Sequence, residues 1–360
     1  MMRIEIITTP NEFLKETGFG TLKACHDVLE ALRKKHSEVS LVVCTHQSEL
    51  ELVAKRKPDL VILAVKYIIQ KDGTLLWLSK YFESQNINYS GSNRETLEFD
   101  SNKILAKEKM KSANIRTAAF FTSIPNEYVK GEKLPIDYLL FLKPIDAANG
   151  NGTDENSLVN NFASFNKKIN SLHKKYGQPI LVEKYLSGRE FTVAIMETAT
   201  KNTLQTAAIE IIPPEDSNKA RILGAKVKKD DLEELKKITN SGINEIVTQI
   251  AIDAFFALGV TGFGRIDIKM DEDSQCYFME ANLVPGMTKG SSYFPKAFEI
   301  ANNISYDKVI QQLASISLKN KKMNFLNFKE ESKNLMYIFG NDKIKKILIK
   351  EIKKKKIKTL

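Results

Sequence analysis

The run "GRIDIKMDEDSQCYFMEANLVPGMT", from Gly264 to Thr288, sets polar groups where apolar ones would be expected. Asp267 interrupts one apolar-rich stretch, and Glu280 and Asn282 interrupt another. The flanks "RIDIKM" and "CYFMEANL" read as strands, and "DEDSQ" as the turn between them. A hairpin that pairs Met270 with Tyr277 places Asp267 opposite Glu280. Side chains alternate along a strand, so Arg265 and Asp267 share a face, as do Glu280 and Asn282. Two carboxylates and an amide then converge. Such a set suits a hard cation with oxygen ligands, Mg²⁺ before Ca²⁺ where phosphates complete the shell. Without a cation the two carboxylates would repel. The alternative is a hairpin with one charged, solvated face.

Two earlier segments have chemical potential of their own. In "YLLFLKPIDAANGNGT", Lys143 ends an apolar strand and a loop follows with Asn149, Gly150, Asn151 and Gly152. Glycines let backbone N–H groups converge on an anion, and a lysine adds a point charge for phosphate. An exposed turn with no ligand would use the same residues. In "PILVEKYLSGREFTVAIM", Glu183, Lys184 and Glu190 stand among apolar residues. A strand edge can read a purine through its backbone, and a carboxylate such as Glu190 can accept ribose hydroxyls. A plain hairpin with charged rims is the alternative.

These groups need elements to hold them. The chain opens with strand–helix alternation: "RIEIIT", a helix over "TLKACHDVLEALRKKH", "VSLVVCT", a helix over "SELELVAKRK" and "DLVILAV". Helical "GTLLWLSKYFESQ" and a short strand "INYSGS" follow. This order implies a parallel sheet with crossover helices. Next come a helix "RETLEFDSNKILAKEKMKSAN", strands "IRTAAFFT" and "YLLFLKP", a helix "SLVNNFASFNKKINSLHKKYG" and the strand "PILVEKYL". A polar excursion from Pro213 to Gly242 precedes the helix "NEIVTQIAIDAFFALG" and the hairpin. The expected organisation is an α/β domain over 1–92, two further segments over 93–186 and 187–318, and a Lys-rich tail over 319–360.

Composition agrees with a folded protein: 42% of the 360 residues are hydrophobic and 27% charged. No run approaches the roughly 20 apolar residues of a membrane span, and the N-terminus reads as a strand rather than a signal peptide. Three scattered cysteines speak against a disulfide framework and for a reducing cytoplasm. The four histidines lack zinc-ligand spacing. The net charge of +10 resides mostly in the tail, where Lys343–Leu360 holds nine lysines and one glutamate. The remaining body is near neutral, so no nucleic-acid partner is expected. Ile344, Ile347, Leu348 and Ile352 fall near helical spacing, so the tail reads as a solvated extension or as a basic amphipathic helix for an anionic membrane surface.

In chain order, Lys103, Lys143 with its Gly-rich loop, "EKYLSGREFTV", Lys226 and "GRID…EAN…PGMT" together resemble the ATP-grasp superfamily, and within it the D-alanine–D-alanine ligase family. The resemblance spans roughly residues 1–315 and includes "DGTLLWLSKYFESQNINYSGS". It implies an ATP-grasp fold with an N-terminal Rossmann-like domain. It implies ATP and Mg²⁺ (or Mn²⁺), with two ions, as cofactors. Lys103 and Lys143 would contact ATP phosphates, the strand Glu183, Lys184, Tyr185 and Leu186 would line adenine, and Glu190 the ribose. Lys226 would reach the terminal phosphates. Asp267, Glu280 and Asn282 would hold the metal. Arg265 and the Gly286 N–H would stabilise charge during acyl transfer. Family members often form dimers, so a homodimer is a further implication.

The resemblance departs at the amino-acid end. The family's loop serines are replaced in "DAANGNG", which leaves Asn149 as the candidate there. Val227 follows Lys226 where the family has tyrosine. Glu16 is the nearest candidate for the family's N-terminal glutamate. "LAVKYI" lacks the usual histidine, although Lys66 or Tyr67 could rebuild that subsite. "KGSSYFP" is one residue longer than the family pattern, which leaves Ser291 or Ser292 to meet the second substrate. The expected function is therefore ATP-dependent joining of an amino acid or its derivative to an amine. The alternatives are an authentic D-alanine–D-alanine ligase and a non-catalytic ATP-binding regulator.

Overall fold

The strand–helix alternation at the start of the chain yields a parallel sheet. In the computed structural model, which describes residues 2–10, 18–130, 132–146, 150–198, 203–216 and 220–318, β1 (Arg3–Thr8) is followed by α1 (Leu22–Arg33), β2 (Glu38–Val43), α2 (Gln47–Arg56) and β3 (Leu60–Leu63). β1 lies between β2 and β3, parallel to both. Glu16, Asn149 and the Lys-rich tail lie outside the described residues. α1 buries Cys25, Val28, Leu29 and Leu32, the stripe expected of a helix laid on a sheet.

Where the expected helix over "GTLLWLSKYFESQ" begins, a strand forms instead. β4 (Tyr67–Ile69) pairs with β5 (Leu75–Trp77), and helix α3 (Leu78–Ser84) starts only afterwards. Tyr67 and Trp77 face each other across the pair with ring centroids 5.3 Å apart, a cross-strand aromatic contact that outweighs local helical preference. "INYSGS" supplies only an isolated bridge, from Tyr89 to Val61.

The expected long helix after Ser92 is two helices, α4 (Arg94–Ser101) and α5 (Lys103–Ser112). Asn102 breaks it. Its side chain accepts from the Ile104 and Leu105 N–H groups, both at 3.1 Å, and so caps α5. Lys103 thereby becomes the first residue of a helix.

A four-stranded antiparallel sheet follows, from β6 (Phe120–Ser123), β7 (Leu140–Pro144), β8 (Leu158–Val159) and, after α6 (Phe162–Tyr176), β9 (Ile180–Lys184). Its order is β6-β9-β7-β8. The helix is shorter than its sequence suggests because Leu158 and Val159 pair with β7 and Asn161 caps the start. Phe165, Ile169 and Leu172 of α6 pack on Leu140, Leu142, Ile180 and Val182.

The last sheet has the order β12-β11-β10-β13-β14. It comprises β10 (Glu190–Glu197), β11 (Leu204–Ile212), β12 (Glu234–Lys237), β13 (Phe263–Met270) and β14 (Cys276–Asn282), with α7 (Ala225–Lys229), α8 (Ser241–Ala257) and α9 (Tyr293–Asn302) interspersed. A final helix runs over 306–318. Every residue of β13 is buried. The hairpin pairs Met270 with Cys276, not with Tyr277 as the sequence reading has it. A bulge between Asp267 and Ile268 absorbs the extra residue, so Asp267 still faces Glu280, and Arg265 faces Asn282. Without that bulge a one-residue slip would turn the pair to opposite faces. Cys25, Cys44 and Cys276 are free and buried. No helix among the described residues is long and apolar enough to cross a membrane.

Gly18 is fitted tightly against the chain leaving β3. Its φ is +54°, and a Cβ there would stand 2.0 Å from the Ala64 carbonyl oxygen. At Gly73, with φ of +83°, an added Cβ would meet nothing within 4 Å. Gly73→Ala should cost about 1–2 kcal/mol from backbone strain alone. Gly18→Ala should cost roughly 3 kcal/mol or more, because the clash is with backbone. Urea denaturation compares them, and equal losses would remove the steric contribution at Gly18.

Candidate active site

A cleft of about 840 Å³, open solvent at its mouth included, gathers most of the chemically suspect residues. Lys103, Lys143, Glu183, Lys184, Tyr185, Leu186, Glu190, Asp267 and Glu280 all line it. Basic side chains outnumber acidic ones in the lining, six to four, which favours an anionic ligand.

The floor is a buried charge cluster. β9 pairs with β6 and β7, which sets Glu183 between Phe120 and Phe141 and turns its carboxylate inward. Lys143 from β7 reaches Glu183 at 2.7 Å, and Lys107 from α5 ion-pairs with the same carboxylate. Burial alone would neutralise Glu183, but Lys107 and Lys143 outweigh it and hold its pKa below the ordinary glutamate value. Burial also opposes the Lys143 charge. Glu183 and Glu280 overcome that and raise its pKa, so Lys143 is a cation at neutral pH. Lys107, fully buried, has its pKa lowered by burial, with Glu183 opposing. Its Nζ also donates to Thr117 Oγ1 at 2.7 Å, and Thr117 in turn donates to the Phe278 carbonyl at 3.0 Å. The middle sheet is thereby tied to the hairpin.

One wall is the chain leaving β9. Tyr185 N–H donates to the Leu139 carbonyl at 3.1 Å, whereas the Leu186 N–H donates to no group among the described residues. The Lys184 Nζ donates to the Tyr138 carbonyl at 2.9 Å. Glu190 accepts from Lys269 at 2.9 Å, its cross-strand neighbour.

The opposite wall is the hairpin. Asp267 Oδ1 accepts from Thr192 Oγ1 at 2.6 Å and Arg265 Nε at 2.9 Å. Its Oδ2 accepts from Arg265 Nη2 at 2.8 Å and Asn282 Nδ2 at 3.0 Å. Glu280 lies 3.6 Å from Lys103. Burial would raise its pKa, but Lys103, Lys143, Lys228 and Arg265 bring it down to about 2. The guanidinium of Arg265 stacks over the Tyr293 ring at 5.2 Å, and Tyr293 donates to Glu233. Burial and that hydrogen bond push the Tyr293 pKa far up.

Beyond Arg265 lies the turn 283–288. Leu283 and Val284 N–H groups donate to Asp100 Oδ2 at 2.6 and 3.2 Å. Met287 N–H donates to the Phe19 carbonyl at 2.9 Å, and Thr288 N–H to Ser292 Oγ at 2.8 Å. Pro285 has no N–H. Among the described residues Gly286 therefore presents the one unbonded N–H of this run. A Cβ at Gly286 would stand 2.8 Å from Ser292 Oγ, which places Ser292, rather than Ser291, against it.

Lys226 is exposed and does not line the cleft, whereas Lys228 does. Lys66, at the position where the histidine is missing, is buried and lies 3.2 Å from Asp100. Tyr67 packs on Trp77. Sequence reasoning missed Lys107, Thr192, Lys228, Lys269 and Asp100. Lys269 was within reach of the period-two rule, since it shares a face with Arg265 and Asp267. The others depend on contacts between distant segments. Thr153 meets the start of α7 directly: Ala225 N–H donates to the Thr153 carbonyl at 3.3 Å.

A phosphate ligand in this cleft should feel Lys228 more than Lys226. Lys228→Met should weaken binding of a non-hydrolysable ATP analogue by about tenfold, in line with loss of one charge-assisted hydrogen bond. Lys226→Met should change it by less than about threefold. Calorimetric titration of both variants decides, and a larger loss at Lys226 would reverse the assignment.

The family model described as "D-ala D-ala ligase C-terminus" matches residues 110–315. The chain is 28% identical over 310 residues to D-alanine–D-alanine ligase B of Clostridium perfringens, covering 84% of this chain and 94% of that one. It is 26% identical over 292 residues to D-alanine–D-alanine ligase A of Bacillus cereus, covering 79% and 89%. Among solved structures it resembles the Bacillus anthracis D-alanine–D-alanine ligase complexed with ATP, with a TM-score of 0.68 at 22% identity over 90% of this chain and 99% of that one. The Coxiella burnetii D-alanine–D-alanine ligase gives 0.65 at 16% identity, over 93% and 99%. The fold is the ATP-grasp fold of these enzymes, as expected from the sequence. Matched by the family model over more than half its length, the chain belongs to the D-alanine–D-alanine ligase-like family of the ATP-grasp superfamily.

Proposed function

We propose that this protein is an ATP- and Mg²⁺-dependent ligase that joins the carboxylate of an amino acid or amino-acid derivative to an amine, releasing ADP and phosphate. The observation that supports it most directly is the hairpin's position. It lines a cation-rich cleft with Asp267 and Glu280, carries Arg265 two residues away, and ends in the turn that presents the unbonded Gly286 N–H. A site that only held ATP would have no use for the last two. The parallel sheet and the two antiparallel sheets would be its three domains.

A carboxylate is a poor electrophile at neutral pH. Transfer of the γ-phosphoryl group turns it into an acyl phosphate, with phosphate as leaving group, which an amine can then attack. Lys103 and Lys143 hold the ATP phosphates, Glu183–Leu186 line adenine and Glu190 takes the ribose. Lys228 is better placed than Lys226 for the terminal phosphates. Arg265 offsets charge on the transferring group, and Gly286 N–H and the guanidinium offset the tetrahedral oxyanion. Ser292 is favoured over Ser291 at the second substrate. Asp267, Glu280 and Asn282 would hold the metal. Opposed carboxylates, one with a pKa near 2, make an oxygen-rich donor set suited to a hard ion. When bound, Mg²⁺ or Mn²⁺ neutralises phosphate charge and polarises the transferring group. The reactive acyl phosphate must be kept from water, and residues 213–242 would be the lid.

The second reading, an authentic D-alanine–D-alanine ligase, is favoured by the named relatives. The first-substrate residues argue for something else. Val227 replaces tyrosine, Asn149 replaces serine, and Lys66 is engaged with Asp100. A site built to pair one amino acid loses that substrate quickly when its polar partners go, because buried groups are then left unpaired.

Glu280→Gln should abolish turnover and leave the fold intact. It should also alter acid stability in the absence of nucleotide. The folded pKa of Glu280, about 2, lies below its ordinary value of 4.5. Its ionisation therefore contributes stability above about pH 4.5, and that contribution is lost as pH falls toward 2. The variant should lack this part of the pH dependence. Full Mg²⁺-dependent activity in Glu280→Gln would refute the assignment.

A phosphate-release screen over L- and D-amino acids, singly and in pairs, tests the reaction itself. ADP should accumulate, and D-alanine alone should not give the highest kcat/KM. AMP with pyrophosphate would mean adenylation. D-alanyl-D-alanine as the best product would restore the second reading.

A further inference from the structure

Asp100 stands at a three-way junction that the sequence reading did not foresee. It lies in the last turn of α4, three residues before Lys103. Its Oδ2 takes the Leu283 and Val284 N–H groups, and its Oδ1 lies 3.2 Å from Lys66 Nζ. The Lys66 side chain is 3% exposed and that of Asp100 13%. Lys66 belongs to the connection between β3 and β4. One carboxylate thus joins the parallel-sheet region, the helix pair leading to Lys103, and the turn presenting Gly286.

An oxyanion donor acts only if its N–H points where the charge develops, and displacement of one donor is costly. Few soft torsions separate Asp100 from the Gly286 N–H. The two bonds orient the peptide planes on either side of Leu283. Pro285 follows with its φ locked by the ring. Downstream, Met287 is held on both sides: its N–H by Phe19, and its carbonyl by Tyr306 OH at 2.7 Å. Upstream, where β14 ends at Asn282, Asp100 holds the next two amides, and the buried Lys66 ammonium supplies its counter-charge.

We propose that Asp100 and Lys66 are positioning residues for acyl transfer. Asp100 aims the Gly286 N–H by holding the two amides before it, and Lys66 holds Asp100. The chemistry it serves rests on the ligase reading above. The aim itself is a property of the turn.

The test uses Asp100→Ala, Asp100→Asn and the double variant Lys66→Met/Asp100→Asn in the full chain. Two readouts apply: steady-state kinetics with ATP-analogue affinity, and hydrogen exchange of the 283–287 amides. Asp100→Ala should lower kcat at least tenfold, a part of the roughly 10²–10³ lost with a whole oxyanion donor. Its ATP-analogue affinity should stay within about twofold, with exchange at Leu283 and Val284 accelerated, since none of the three residues lines the cleft. The double variant keeps an oxygen acceptor and removes both charges of the pair together. It should restore amide protection and bring kcat to within about threefold of the parent, as a neutral pair of similar shape can replace a buried ionic one. A kcat that survives loss of protection would overturn the proposal, as would ATP affinity falling in step with kcat. Should Asp100→Ala not fold, the double variant decides, and a tenfold loss with protected amides would overturn it. A parent protein that releases no phosphate with any amino acid defeats the ligase reading instead. Exchange then judges the strut by itself, and unchanged protection in Asp100→Ala would overturn it.

Discussion

Placing charge inside a fully buried strand is the constraint around which the site is organised. β13 has no exposed residue, yet it carries Arg265, Asp267 and Lys269 on one face. An unpaired charge in such a place is expensive, so each one dictates a neighbour. Asp267 takes Arg265, Thr192 and Asn282, and Lys269 takes Glu190. The flanking strands β10 and β14 are therefore selected as much for polar partners as for packing. Their register is not free to drift, because a slip would strand these groups without partners. The bulge in β14 is the adjustment that keeps Asp267 opposite Glu280.

The same logic governs the cleft floor. Lys107, Glu183 and Lys143 are all buried, from three different elements, and neutralise one another only incompletely. The surplus is positive. Glu280 tempers it on the opposite wall, where four cations hold its pKa at about 2. The cleft's positive charge is thus set by buried groups that solvent and salt screen weakly, which favours a polyanion. Rigid strands supply the geometry, and the Thr117–Phe278 bond ties the two walls together.

At the far end the design changes from charge to backbone. Four N–H groups of the turn 283–288 are bonded, one residue is proline, and Gly286 is left over. Backbone donors are seldom left unbonded without a use. Ser292 stands beside this one, its Oγ 2.8 Å from where a Gly286 Cβ would lie. That N–H belongs to a turn held at a junction between elements rather than within any one sheet.

Much was written locally. The hydrophobic alternation of 3–63 determined a parallel sheet, and period-two spacing put Arg265 with Asp267 and Glu280 with Asn282 on shared faces. The order of Lys103, Lys143 with its Gly-rich loop, "EKYLSGREFTV", Lys226 and the hairpin identified the family. These are short-range facts, carried by strand periodicity and motif spacing. What the linear pattern could not decide was which long-range partner each charge would find. Lys226 and Lys228 look alike in "GAKVKKDD", and only the fold of α7 turns one to the cleft and the other to solvent. The break at Asn102 depends on a cap that competes with a continuous helix. Tyr67 and Trp77 make a strand from a helical pattern. Lys66 gains its meaning from Asp100, and Asp100 from a turn nearly two hundred residues away. Burial decides such pairings, because the cost of an unpartnered charge is incurred only once the chain has closed around it.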